Sequence, residues 1–120
     1  RKQVDFMRAQ FELGQPTVML CHWPLSLPTL RDAVIDNLGS PPMMGDPDWS
    51  SESRISWQVS EDTPETLEFV HSVTTAPNLV AVFCGHVHIP HADAINTRAV
   101  QYVGRPGFEG GRRLVEFRPL

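Results

Sequence analysis

The sequence has few cysteines, no long apolar run and no excess of basic residues, and each absence narrows the class of protein. Its two cysteines, Cys21 and Cys84, are too few for the disulfide framework of a small secreted domain. Both lie in apolar segments, so we interpret them as buried thiols that pack as small hydrophobic groups, with a disulfide or metal-ligand role as the alternative. No apolar segment reaches the roughly 18 residues that a membrane-spanning helix needs, so we expect no membrane partner.

Charge and length set further limits. The formal net charge is −4 at pH 7, which argues against a broad basic surface for nucleic acid. A nuclease is not excluded, because bound metal ions can supply the positive charge that meets phosphate. With 120 residues, of which 41% are hydrophobic, the chain is one domain or part of one and can bury a core. No signal peptide is visible, but the sequence begins at Arg1 and not at a start methionine, so this absence does not decide the compartment. The expected compartment is the cytoplasm.

Two apolar segments each lead directly into histidine. Residues 79–84 are apolar and are followed by Gly85-His86-Val87-His88, while residues 16–21 are followed by His22-Trp23-Pro24. Apolar runs of this length predict buried strands. We expect Gly85 to end its strand with a sharp turn, and the two imidazoles that follow to leave from the same side. Two strands that end in histidine indicate a site along one edge of an α/β sheet.

These two motifs resemble the last two metal-binding motifs of the calcineurin-like metallophosphoesterases. In that family one strand ends in His, often followed by Pro, and a later strand ends in Gly-His-x-His. The resemblance covers most of the chain and is closest to the cyclic-nucleotide phosphodiesterase or general phosphohydrolase branch. The nuclease branch is an alternative, because residues 85–91 are similar to its Gly-His-x-His-x-Pro-Gln.

The resemblance implies a metal-dependent phosphoester hydrolase with two divalent metal ions (Mn, Fe, Zn, Ni or Co). It implies that His22 and His86 bind one metal ion and that His88 binds the other. The implied fold is α/β, a mixed sheet with flanking helices. Residues 1–120 would be the C-terminal half of a four-layer α/β/β/α sandwich, and one sheet face would pack on the absent half or on a second copy of the chain.

The earlier motifs of that family are missing from this sequence. They are Asp-x-His, Gly-Asp-x-x-Asp and Gly-Asn-His followed by Asp or Glu; residues 45–48 resemble the second, but with the wrong spacing and after His22. The bridging carboxylate, the asparagine and the general acid would therefore come from an absent N-terminal half, so the catalytic residues are unknown and the chain alone is expected to be inactive. The alternative is a non-catalytic module that binds a metal or a partner.

Three further residues are candidates for contact with a phosphoester substrate, of which a cyclic nucleotide is one possibility. Trp23 directly follows a candidate ligand and could stack on an aromatic group or pack at the sheet edge. His91 could face the substrate or lie on a surface loop, and Arg105 could meet phosphate or lie in a solvated turn. Two tryptophans, Trp49 and Trp57, could form a lid over the site or anchor their loop.

The remaining pattern predicts the order of the elements. Apolar periodicity and capping residues predict helices over residues 3–13, 29–38 and 64–74. Strands are predicted over residues 16–21, 79–84 and 98–103, and a hairpin turn at 109–111 is predicted to lead into an antiparallel strand over 112–117. Residues 40–53 contain three prolines and no apolar period, so we predict a mobile insertion there.

Overall fold

The computed structural model describes residues 1–38 and 43–118, with the side chain of residue 38 left out. Helices and strands are interspersed along the chain, and the last three strands follow one another directly. The elements in chain order are α1 (Lys2–Glu12), β1 (Thr17–Leu20), α2 (Pro28–Leu38), α3 (Ser51–Ser56), α4 (Pro64–Thr75), β2 (Leu79–Cys84), β3 (His91–Ala94), β4 (Val100–Val103) and a 3₁₀ helix, Gly107–Glu109. Within the described residues, each helix is too short or too polar to span a bilayer.

The four strands form one mixed sheet in the order β1-β2-β4-β3. The pairs β1–β2 and β2–β4 are parallel, and β3–β4 is antiparallel. The prediction of a mixed sheet flanked by helices is confirmed. Because β1, β2 and β4 run in the same direction, their carboxyl ends lie along the same edge of the sheet.

One face of the sheet is covered by helices. Met19, Val82 and Gln101 share a register row and, by strand alternation, one face. Val82 is fully buried in a core cluster that also contains residues of α1 and α4. Gln101 is buried on the same face, and its side-chain amide makes two hydrogen bonds with the backbone of Leu25. The amide oxygen accepts from the Leu25 N–H at 2.9 Å, and the amide nitrogen donates to the Leu25 carbonyl at 3.0 Å. This pair fixes the chain that leaves β1 against the middle of the sheet.

The opposite face carries an open row of larger side chains. Leu20, Phe83 and Tyr102 are aligned across β1, β2 and β4, and Leu20 is 79% exposed. The Phe83 and Tyr102 rings stack at 5.3 Å, and the Arg113 guanidinium lies 4.9 Å from the centre of the Tyr102 ring. Both core clusters of the described residues include residues of the helical face and not this row. The helices of the described residues therefore pack on one side of the sheet.

The predicted strand over residues 112–117 is wrong. Residues 111–118 form no strand, and the chain before them closes into a 3₁₀ helix that ends at Gly110, with φ of 74°. The Gly111 N–H donates to the Pro106 carbonyl at 3.1 Å, which turns the chain back on itself instead of into a hairpin. The antiparallel partner of β4 is β3, which the sequence pattern did not predict.

The segment proposed as an insertion, residues 40–53, is partly outside the described residues, at 40–42. From residue 43 onward it contains buried side chains: Met43 and Trp49 pack in a cluster with Leu30 and Val34 of α2. The premise of few buried contacts therefore fails for residues 43–53, and α3 begins inside this segment, with Ser50 accepting from the Ser53 N–H at 3.1 Å. Its mobility stays a prediction that hydrogen exchange can measure.

Arg54 anchors the end of this segment from a buried position. The residue is 7% exposed, and its guanidinium donates to the carbonyls of Ser60 at 2.9 Å and Asp46 at 3.1 Å. A carboxylate oxygen of Asp62 lies 3.5 Å from the guanidinium and also accepts from the Gly45 N–H at 3.1 Å. One cation thus ties together the two ends of α3 and the turn before it.

Candidate functional site

The two histidine-bearing motifs lie side by side at the carboxyl ends of β1 and β2. Hydrogen bonding between the strands continues past their ends: the Cys21 N–H donates to the Phe83 carbonyl at 3.1 Å, and the Gly85 N–H donates to the His22 carbonyl at 3.1 Å. The second bond joins the backbones of the two motifs directly. The two motifs therefore lie at one edge of the sheet, as predicted, and the parallel ladder that precedes them sets their relative position.

His22 and His86 are brought into contact, as the sequence predicts. Their ring centroids are 5.3 Å apart, and the rings meet edge to face at 70°. His22 is exposed, whereas His86 is half-buried and its Nε2 atom is shielded from solvent. One imidazole is therefore open to a ligand from solution, and the other is held within the protein.

His86 takes this position through a tight turn of its own backbone. Its φ is +65°, and the Val87 N–H donates to the Gly85 carbonyl at 2.8 Å, which is the hydrogen bond of a γ-turn centred on His86. The strand ends directly before Gly85 and a sharp turn follows, as predicted, but the left-handed φ of that turn belongs to His86 and not to the glycine. Val87 is fully buried beneath the turn and anchors it.

His88 does not continue the pattern of a strand. Its φ is +56°, so His86 and His88 both have left-handed backbone angles. The expectation that their side chains leave from the same side assumed an extended backbone, which is not present here. The ring of His88 meets that of Phe108, at 5.3 Å and 81°. Among residues 1–38 and 43–118, no group of three or more histidine, cysteine or acidic side chains is arranged to hold a metal ion.

The fit to the implied metal centre is therefore partial. The contact of His22 with His86 suits two nitrogen ligands of one ion, and imidazole suits Zn, Fe, Ni and Co. The third histidine and the carboxylates that a complete centre needs are not gathered with them in the described part of the chain.

Aromatic rings enclose His86 on further sides. Trp23 stacks on it at a centroid distance of 3.9 Å and an angle of 21°. Trp57, which follows α3, stands 6.2 Å from it at 66°. Sequence reasoning offered Trp57 only as part of a lid or as an anchor, and the structure brings it to the histidines. Its position depends on the fold of residues 43–62, which carry no periodic signal.

His91 lies at the start of β3, where it is drawn into the cap of α2. Its Nε2 is 3.0 Å from the Thr29 hydroxyl and 3.2 Å from an Asp93 carboxylate oxygen. Asp93 also accepts from the Thr29 hydroxyl and from the Leu30 N–H, the latter at 3.0 Å. Carboxylate acceptors stabilise a helix N-terminus, so this group holds α2 against β3. A substrate role for His91 stays a prediction.

Arg105 follows the end of β4 and is exposed. The residue before it, Gly104, donates its N–H to the Cys84 carbonyl at 2.9 Å, which places this loop on the same sheet edge as the histidines. The structure thus puts Arg105 on the predicted edge, and contact with phosphate stays a prediction.

The two cysteines lie next to each other at the ends of β1 and β2. The thiols of Cys21 and Cys84 donate to the carbonyls of Trp23 at 3.2 Å and Tyr102 at 3.6 Å. Burial raises the pKa of Cys21 to about 11, and burial followed by the proximity of Cys21 raises the pKa of Cys84 to about 12. Both thiols are therefore protonated at neutral pH, which suits side chains that pack as small hydrophobic groups.

A groove of about 930 Å³ runs between α1 and the free edge of β1 and reaches the site. Phe6 and Phe11 line one wall, and His22 and Trp23 lie at one end. No protein-family model matches the chain, and comparisons with curated proteins and with solved structures give no match either. The family resemblance therefore rests on the two strand-end motifs.

Proposed function

We propose that this chain carries the histidine side of a metal-dependent phosphoester hydrolase whose complete site holds two divalent ions. The observation that carries the proposal is the contact between His22 and His86 at the ends of adjacent parallel strands, joined by the Gly85–His22 backbone hydrogen bond. Ligand sites in open α/β sheets lie outside the carboxyl ends of the strands, which is where this pair is found.

Each residue has a definite role in this proposal. His22 and His86 supply nitrogen ligands to one ion, His88 supplies one to the other, and Trp23 holds the His86 ring by stacking on it. A pair of divalent ions in such a site would activate water and hold the phosphoryl oxygens. Carboxylate ligands and the general acid come from outside this chain, so the complete protein is the enzyme.

A second candidate is a module that binds a metal or a partner without turnover. This candidate needs only side chains that this chain carries and no carboxylate motifs from elsewhere. A nuclease-branch member remains within the first proposal and differs from it only in the substrate. The complete protein distinguishes the enzyme from the binding module, because the enzyme requires the carboxylate motifs outside this chain and the binding module does not.

The open sheet face suggests a partner for this chain, and its free cysteines suggest a compartment. The open row containing Leu20, Phe83 and Tyr102 suits a second sheet, from the N-terminal half of the protein or from another copy of the chain. Two free cysteines suit the reducing cytoplasm, where thiols stay reduced.

Metal binding tests the proposal directly. Isothermal titration with Zn²⁺ or Co²⁺ should show one site in the 120-residue chain that His22→Ala and His86→Ala each weaken by at least tenfold. His71→Ala is the matched control, because His71 is an exposed histidine on α4, and it should leave the affinity unchanged. Equal affinity in all four proteins would refute a role for the His22–His86 pair in metal binding.

A further inference from the structure

Trp57 is an exposed aromatic side chain held beside a candidate metal ligand. Its indole is 45% exposed and stands 6.2 Å from the His86 ring. Exposed tryptophans scattered singly need no explanation, but this one belongs to a group of four rings with His22, His86 and Trp23. The group lies at the sheet edge where the proposed chemistry would take place.

The position of Trp57 is fixed by its own segment. It closes α3, with its N–H donating to the Ser53 carbonyl at 3.0 Å. The next turn is held by the Val59 N–H, which donates to the Arg54 carbonyl at 2.9 Å. Arg54 is in turn buried and bonded to the backbone on both sides of α3. An aromatic ring on a fixed support loses little conformational entropy when a ligand stacks on it.

The two indoles serve different purposes. One face of Trp23 is occupied by His86, at a distance of 3.9 Å and nearly parallel. Trp57 meets His86 at a steep angle of 66° and remains half open to solvent. Trp23 is therefore suited to holding the imidazole, and Trp57 is the indole that can receive a ring from solution.

We propose that Trp57 is the platform for a flat aromatic ring carried by the phosphoester substrate, such as a nucleobase or an aryl leaving group. The ring stacks on Trp57 while the phosphate lies toward the exposed His22. This inference rests on the proposed phosphoesterase function, and it assigns the specificity of the site to a residue from the 43–62 segment. Stacking on aromatic side chains is tolerant of base identity, so the platform selects a ring and not a sequence.

The test measures ligand affinity in the 120-residue chain, in the presence of Mn²⁺, by isothermal titration calorimetry. The probes are AMP, phenyl phosphate, adenosine and ribose 5-phosphate. AMP and phenyl phosphate should bind more tightly than ribose 5-phosphate, and Trp57→Leu should weaken both by about 5- to 100-fold while leaving ribose 5-phosphate unchanged. Trp57→Phe should retain most of the affinity. Phe117→Leu, which removes a 67% exposed aromatic side chain from the C-terminal segment, is the matched control and should change nothing.

The outcomes separate this inference from the function on which it rests. A preference for AMP over ribose 5-phosphate that survives Trp57→Leu, or no such preference in the unmodified chain, overturns the platform. If adenosine binds as tightly as AMP and His22→Ala has no effect, the platform stands and the phosphoester role fails. If ribose 5-phosphate binds and depends on His22 without any gain from a ring, the function stands and the platform fails. The ratio of AMP to phenyl phosphate affinity distinguishes a nucleobase from a simple aryl group, and either result supports the platform.

Discussion

Replacing Arg54 with alanine should destabilise the protein far more than replacing an exposed arginine. The guanidinium makes two charge-assisted hydrogen bonds to the carbonyls of Ser60 and Asp46 and lies 3.5 Å from Asp62. Its side chain and that of Asp62 are 9% and 15% exposed, so the pair is close to fully buried. Arg54→Ala removes the donor from two carbonyls and the positive charge from beside Asp62. The Asp62 carboxylate then keeps its hydrogen bond from the Gly45 N–H.

Breaking a buried ion pair costs about 3–5 kcal/mol, and we take the lower end because some solvent reaches Asp62. A loss of about 3 kcal/mol is a large part of the roughly 5–15 kcal/mol by which a domain is stable. With a urea dependence of about 1–3 kcal/mol per molar, the unfolding midpoint should fall by roughly 1–3 M.

The control is Arg8→Ala. Arg8 donates to Glu68 at 2.7 Å, but its side chain is 51% exposed, and exposed ion pairs contribute little to stability. The double variant Arg54→Met with Asp62→Leu should recover part of the loss, because it removes both charges together. Urea unfolding followed by circular dichroism gives all four midpoints. If Arg54→Ala and Arg8→Ala shift the midpoint equally, Arg54 does not hold the segment and the reasoning is wrong.

Three further predictions follow from the site and the open sheet face. The purified chain should hydrolyse bis-p-nitrophenyl phosphate at a rate no higher than its His86→Ala variant, because the carboxylates that complete a dinuclear centre are missing; robust hydrolysis that His86→Ala abolishes would contradict this. The thiols of Cys21 and Cys84 should react slowly with Ellman's reagent until the protein unfolds, since burial raises their pKa values to about 11 and about 12 from 9.0. The folded state then keeps protons that the unfolded state releases, so the contribution of these two thiols to stability should be fully present below their unfolded pKa of 9.0 and be lost as the pH rises toward 12; a contribution that stays unchanged between those values would contradict the burial. Sedimentation at micromolar concentration should show a dimer or larger assembly, because burying apolar surface yields about 25 cal/mol per Å², and a clean monomer that binds no hydrophobic dye would refute it.

The parts of the fold that follow a periodic pattern could be predicted from the sequence. Helices α1, α2 and α4 and strand β2 begin and end within a residue or two of the prediction, because apolar spacing and the Thr63–Pro64 cap are local signals. Strand β3 was missed because His91–Ala94 carries no β-branched or aromatic residue and is specified by its pairing with β4. The false strand over residues 112–117 follows a turn-like Glu109-Gly110-Gly111 but has no partner strand in the described chain, which a local turn signal does not reveal.

The sequence predicts at which edge of the sheet the candidate site lies, but not how the side chains of the site are arranged. Strand ends next to each other in a parallel sheet bring His22 and His86 together, and the order of the motifs is enough to expect that. The position of His88 depends on backbone angles at two histidines, and the position of Trp57 depends on a buried arginine in α3, Arg54. Both are consequences of tertiary packing, which a short motif does not encode.

The placement of glycine and histidine in residues 85–88 is the reverse of what backbone stability alone would choose. A methyl group added at Gly85 would meet nothing within 4 Å, whereas His86 and His88 hold left-handed angles that glycine adopts freely. A left-handed residue other than glycine costs about 1–2 kcal/mol. A library selected for thermal stability should therefore enrich alanine at position 85 and glycine at positions 86 and 88, and selection for ligand affinity should restore the imidazole at 86. Selection for stability and selection for ligand affinity would therefore favour different residues at position 86. A position at which the two selections differ is identified as functional without any knowledge of the substrate.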